Sequence, residues 1–184
     1  CLDMTHPDAR AFLADAVRRL TRDWGYGYLK PDAMWCGLAA KCTYPGTAYV
    51  EDGFGDAVRH DPYITGIEAY RAGMRTMRAA AGPDTYIAAC NVAQNFRSMG
   101  GAMGLVDAMR IGPDTGADWG AIQPNFHLGT RLYFLHGRVW HNDPDCLMVR
   151  APLTLTQARS FASWIALTGS LNLVDPRYFK QDAG

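Results

Sequence analysis

The sequence predicts an α/β fold built on parallel strands, and three observations predict it. Short, almost wholly apolar segments alternate with stretches whose apolar residues recur every three or four positions. Strands buried on both faces read as continuous apolar runs rather than as alternating ones. The polar residues able to do chemistry gather just after those segments: Lys30 and Asp32, Cys90 and Asn91, Arg110 and Asp114, then Asn142, Asp143 and Asp145.

In chain order, residues 2–4 read as the stub of a strand. Residues 7–23 carry Phe12, Leu13, Ala16, Val17 and Leu20 on a helical stripe, with Thr5 as the expected cap, Pro7 in the first turn and Asp8 favourable to the helix dipole. Gly25 stops that helix, and 26–33 reads as a strand. A Gly-, Asp- and Tyr-rich loop follows from 35 to 63. The next helix shows Ile67, Tyr70, Met74 and Met77 on one face and ends at Gly82-Pro83. Residues 85–92 form a second strand, 98–105 a weak helix, and 106–111 a third strand closed by Gly112-Pro113. A helix is expected over 126–136 and a short strand from Val139. Thr154 caps a helix with Phe161, Trp164 and Ile165 inward, and 170–174 is the last strand.

Chemistry-bearing residues at the ends of several strands match a TIM (β/α)8 barrel, whose site is built from strand ends on one face. A doubly wound sheet would concentrate its site at one switch point behind a Gly-rich turn, and no GxGxxG follows a strand here. A complete barrel has eight strands in roughly 250 residues. The expectation is therefore an α/β fold, a partial TIM barrel running from about the end of strand 3 to strand 8, with residues 1–184 as one incomplete catalytic domain. The formal net charge is +0 and no basic block stands out, which disfavours nucleic acid and anionic membranes as partners. The longest apolar run, 164–173, is too short and too polar to span a bilayer. Five cysteines without CxxC spacing read as reduced thiols, with one pair such as Cys36–Cys42 left open. The compartment is undetermined, with the cytoplasm slightly favoured over secretion.

Three constellations carry the chemistry. In Tyr28-Leu29-Lys30-Pro31-Asp32, strand alternation puts Tyr28, Lys30 and Asp32 on one side, and a Lys ammonium beside a carboxylate favours its ionised form. In Arg110-Ile111-Gly112-Pro113-Asp114, the Gly-Pro turn presents Asp114 on the rim, while Arg110 can orient a ligand hydroxyl or hold a carboxylate. In Trp140-His141-Asn142-Asp143-Pro144-Asp145, acid and amide groups are dense enough to bind sugar hydroxyls. Trp35, Trp119 and Trp140 are candidates to pack on a sugar's C–H face. The five histidines show no HxH or HxxxH spacing, so no metal and no cofactor is expected. Asp32 and Asp114 lie on alternate strands of the expected barrel and can face each other across its mouth. Retaining glycosidases need their carboxyls about 5–5.5 Å apart.

These motifs resemble glycoside hydrolase family 36, the α-galactosidases, and more distantly family 27. Lys30-x-Asp32 looks like the family's nucleophile motif, Arg110-Ile-Gly-Pro-Asp114 like its acid/base motif, and Asn142-Asp-Pro-Asp145 like a third conserved string; residues 2–7 resemble the segment ahead of the nucleophile strand. The resemblance implies a retaining exo-acting α-galactosidase working by double displacement, with Asp32 as nucleophile and Asp114 as acid/base. It further implies that Lys30, Cys90, Asn91, Arg110, Trp119 and Asp145 contact the substrate, an α-galactoside oligosaccharide or glycoconjugate. The full-length parent could form a homo-oligomer. Asn91-Val92-Ala93 departs from the family's glycine close after the cysteine, and the 36–63 loop is longer than usual. The family's paired aspartates for the 4- and 6-hydroxyls, and its N-terminal β domain, are expected upstream. Competing readings are another retaining α-glycosidase or transglycosylase, such as an α-N-acetylgalactosaminidase, and a non-catalytic carbohydrate-binding barrel fragment.

Overall fold

The computed structural model describes residues 2–38, 58–90, 96–168, 170–171 and 173–174. The chain divides into two compact units, Cys1–Ala108 and Met109–Gly184. Helices alternate with short strands in both, and the strand pairs in register run parallel. The fold is α/β.

In the first unit, α1 (Pro7–Arg18) continues through a π-helical turn, Arg19–Asp23. His6, not Thr5, caps it: His6 Nδ1 accepts from the Asp8 amide at 3.1 Å. Thr5 is occupied elsewhere. Its amide and hydroxyl both donate to Asp3, and its Oγ1 accepts from the Asp61 amide at 3.0 Å. The other Asp3 oxygen accepts from the His60 amide at 2.6 Å. Residues 2–4 therefore lead into a turn that fastens the chain near residue 60, rather than forming a strand. Burial alone would raise the Asp3 carboxyl, but the His60 and Thr5 hydrogen bonds and the Arg59 charge outweigh it and lower its pKa.

Strand β1 is only Tyr28–Leu29, shorter than the expected 26–33, and pairs with β2 (Tyr86–Ala89) in the register Tyr28↔Tyr86, Leu29↔Ile87. Between them runs α2 (Gly66–Ala81), begun by a reciprocal Thr65–Glu68 capping box and ended at Gly82, with Tyr70 and Met74 buried on its inner face. Arg78 of α2 donates to the Leu105 and Thr85 carbonyls and to Asp107, whose carboxylate also accepts from the Ile87 amide. One guanidinium so ties the helix to both ends of the segment that follows it. Helix α3 (Phe96–Gly101) is short, and its Gly101 carbonyl accepts from Arg71.

The division between the units falls inside β3 (Ala108–Arg110). In the second unit Ile111, just past β3, donates to Asp143 of β4 (His141–Asp143) at 3.0 Å. Helix α4 runs Trp119–Leu132, seven residues ahead of the expected start, because Asp118 caps it through the Ala121 amide. Pro124 removes one i→i−4 bond within it without ending it. Helix α5 (Leu155–Thr168) starts on a Thr154–Gln157 capping box and buries Phe161 and Ile165 with Ile122 and Met148. Strand β5 (Cys146–Leu147) pairs parallel with β6 (Leu173–Val174). Asn142 is the polar hub of this unit. Its Oδ1 accepts from Trp140 Nε1, its Nδ2 donates to the Leu132 carbonyl, its carbonyl accepts from Leu171, and its amide donates to His136 Nδ1 at 3.0 Å.

Two outcomes follow from this packing. At the α4–α5 contact, a Cβ on Gly129 would sit 2.4 Å from the Trp164 ring, so Gly129→Ala is expected to cost about 1–3 kcal/mol in urea denaturation. His136 is pulled below the ordinary imidazole range, first by burial and then by the neighbouring His141 charge. Its unfolded form binds protons more readily than the folded one. Stability is therefore complete above pH about 6.5 and falls as the pH drops below it. His136→Gln should flatten that part of a stability-against-pH curve.

Candidate active site

The two proposed carboxylates belong to different units, and each has its own surroundings. Past β1, the Cys90 amide donates to the Pro31 carbonyl at 2.9 Å, so the chain keeps alongside β2 up to Pro31. Asp32 thus stands just beyond the carboxyl ends of two parallel strands, where open α/β sheets and barrels bind ligands. It borders a cavity of about 310 Å³ whose walls include Met4, Leu13, Met34, Tyr70 and Met74, and it is the one charged side chain lining that cavity among the described residues. Asp32 is exposed, and its Oδ1 accepts from the Ala33 amide at 2.6 Å.

Lys30 is exposed, and among the described residues it forms no ion pair with Asp32. The backbone stays hydrogen-bonded to β2 as far as Pro31, so a shared strand edge by itself does not make the two exposed side chains pair. Cys90 is buried at the end of β2. Asn91, the 39–57 part of the loop and Cys42 lie outside the described residues, as do the side chains of Trp35 and Cys36.

The second unit builds a tighter arrangement. Arg110 ends β3 with its side chain only 4% exposed, and one terminal nitrogen meets three oxygens, two as hydrogen-bond acceptors and Asp145 as an ion-pair partner. These are Asp114 Oδ1 at 3.0 Å, Asp145 Oδ2 at 3.2 Å and the Gly112 carbonyl at 3.4 Å. A buried guanidinium needs carboxylate partners, because desolvating an unpaired ion costs several kcal/mol. Asp145 supplies more than charge. The same oxygen accepts from the Thr115 amide at 2.8 Å, and Asp143, fully buried, accepts from the Asp145 amide at 2.8 Å. The Asp114 side chain remains 82% exposed while tethered from beneath. Trp119 opens α4 and is half-buried, its ring tilted against Phe126 at 5.6 Å within the apolar cluster. Trp140 and Asn142 are buried and bonded to each other, so their capacity is spent inside the fold.

Backbone strain marks the same two places. Among the described residues, the non-glycine positions with left-handed φ are Ala33 (52°) and Asp145 (72°). Such a conformation costs roughly 1–2 kcal/mol and concentrates at functional sites. Residue type gives no hint of it at Ala33, whereas aspartate at 145 is one of the few side chains that adopt it readily. Thr115 and Asn125, which hold the Asp114 turn, were also not singled out. The signal for Asn125 was present: it is the polar member of a buried helical stripe, Ile122, Asn125 and Gly129. Among the described residues, no helix is long and apolar enough to cross a membrane, and no group of three or more His, Cys, Asp or Glu side chains could hold a metal.

No protein-family model matches the chain. Its structure is similar to the crystal structure of a GH27 β-L-arabinopyranosidase from Geobacillus stearothermophilus, with a TM-score of 0.67 and 14% sequence identity. The match covers 98% of this chain and 39% of that one. The likeness is one of fold.

The Arg110 network yields one measurable outcome. Asp145→Ala removes a carboxylate from a buried cation and an acceptor from the Thr115 amide. It is expected to lower unfolding free energy by about 2–4 kcal/mol, measured by chemical denaturation.

Proposed function

We propose that the chain is the carboxylate-bearing part of a retaining glycoside hydrolase, a partial (β/α)8 barrel acting on terminal α-galactosides. One convergence carries this reading. The motif strings resemble family 36, and the fold is similar to that of an enzyme from family 27, its relative. At 14% identity the match is one of fold, and the motif strings add the residue chemistry that the fold alone does not carry.

In this mechanism Asp32 attacks the anomeric carbon, and Asp114 protonates the departing glycosidic oxygen. The covalent glycosyl-enzyme is then opened by water, with Asp114 taking the proton. The surroundings suit these roles. A nucleophile needs lone pairs open to the substrate, and Asp32 is exposed beside a cavity. An acid/base needs a fixed direction, and Asp114 is exposed yet anchored through Arg110. Asp145, bonded to Arg110 and Thr115, supports the Asp114 turn. Lys30, Cys90, Asn91 and Trp119 remain proposed sugar contacts, while Arg110 and Asp145, read from the sequence as sugar contacts as well, are engaged with each other and with Asp114 and Thr115.

The neighbour favours a second specificity. β-L-Arabinopyranose has the ring stereochemistry of α-D-galactopyranose without the C5 hydroxymethyl group, so one pocket can suit either sugar.

Aryl α-galactosides and aryl β-L-arabinopyranosides, assayed with the protein carrying this sequence, separate the two readings. Faster turnover of the galactoside is expected, and the reverse order selects the second specificity. Asp114→Ala should lower kcat on unactivated glycosides by about 10²–10⁴-fold. Full activity in Asp32→Ala would refute the two-carboxylate mechanism.

A further inference from the structure

We infer that Asn125 of α4 is a positioning residue for Asp114, holding the turn that carries the acid/base; this assignment rests on the glycosidase reading above. Asn125 is fully buried, on the same helical face as Ile122 and Gly129. An amide buried in that stripe is costly unless it is hydrogen-bonded. Its Nδ2 donates at 3.2 Å to the carbonyl of Pro113, the residue immediately before Asp114. Its Oδ1 is buried with no hydrogen-bond partner among the described residues and occupies the space a side chain at position 112 would need: a Cβ there would lie 1.9 Å from Oδ1 and 2.8 Å from Cγ. Gly112 and Asn125 are a matched pair. The glycine lets the amide reach the turn, and the amide fixes the Pro113 carbonyl.

Arg110 and Asp145 hold this turn from the strand side, and Asn125 holds it from the helix side. Asn125 itself need touch no substrate. Its effect passes through Pro113 to the direction of the Asp114 carboxyl, where a misplacement of about 1 Å can cost about 10²-fold in rate. Protonation of the leaving group matters most when that group is a poor one, so a misdirected acid penalises unactivated glycosides selectively.

The test uses Asn125→Ala, which removes donor and volume, and Asn125→Leu, which keeps a branched side chain and removes the donor. Amide hydrogen exchange is followed at Thr115, which donates to Asp145, and at Ile111, which donates to Asp143. The expected result is exchange at least about tenfold faster at Thr115 with Ile111 unchanged. No change at Thr115, or equal acceleration at both amides, overturns the assignment. In turnover assays, kcat/KM should fall about 10²-fold for glycosides with poor leaving groups and less than about threefold for activated aryl glycosides. Equal losses on both substrates would mark a merely structural role. If the unsubstituted protein hydrolyses no glycoside, the proposed function fails, and the exchange comparison still decides the role of Asn125.

Discussion

The second unit is organised around one buried cation. The Arg110 guanidinium sits at the end of β3 almost without solvent, and such an ion is tolerated only where carboxylates meet it. Two chain segments have to deliver them. The Gly112-Pro113 turn brings Asp114, and the segment after β4 brings Asp145 through a left-handed backbone. Asp143 and Thr115 then hold Asp145 by hydrogen bonds, so its strained conformation is determined from several sides. The charge requirement at Arg110 thereby sets the paths of two loops.

The two proposed carboxylates differ because their surroundings differ. Asp114 has a cation at 3.0 Å and a turn braced by Thr115 on one side and Asn125 on the other. Asp32 has no such cation among the described residues; an apolar cavity lies beside it and a left-handed alanine follows it. Of identical chemistry, one group is held in direction and the other is left open. That division is the one a double displacement asks of its acid/base and its nucleophile.

Much of the fold was legible because helices are announced locally. The Ile67–Tyr70–Met74 spacing marked α2, and Thr154 with Phe161 and Ile165 marked α5. Errors fell where a distant partner decided a local choice. Thr5 is a good cap by residue type, but Asp3 and Asp61 claim it, and His6 takes the role. The helix expected from 126 starts at Trp119, because the Asp118 cap and burial of Ile122 and Asn125 carry α4 through Pro124. The segment 26–33 has strand composition, but its hydrogen bonds to β2 run only from Gly27 to Pro31 among the described residues, with Tyr28 and Leu29 in register.

The sequence by itself determined the α/β alternation, the turn that presents Asp114, and the identity of the acidic and basic groups, because helix periodicity, Gly-Pro geometry and side-chain chemistry act within a few residues. Tertiary structure alone decided which charges meet. Lys30, two residues from Asp32, forms no pair with it among the described residues, whereas Arg110 reaches Asp145 across 35 positions of chain. Nearness in sequence puts two exposed side chains within reach of each other, but in water a pair between them gains too little to hold them together. Burial of Arg110, by contrast, requires a counter-charge from wherever the fold can bring one.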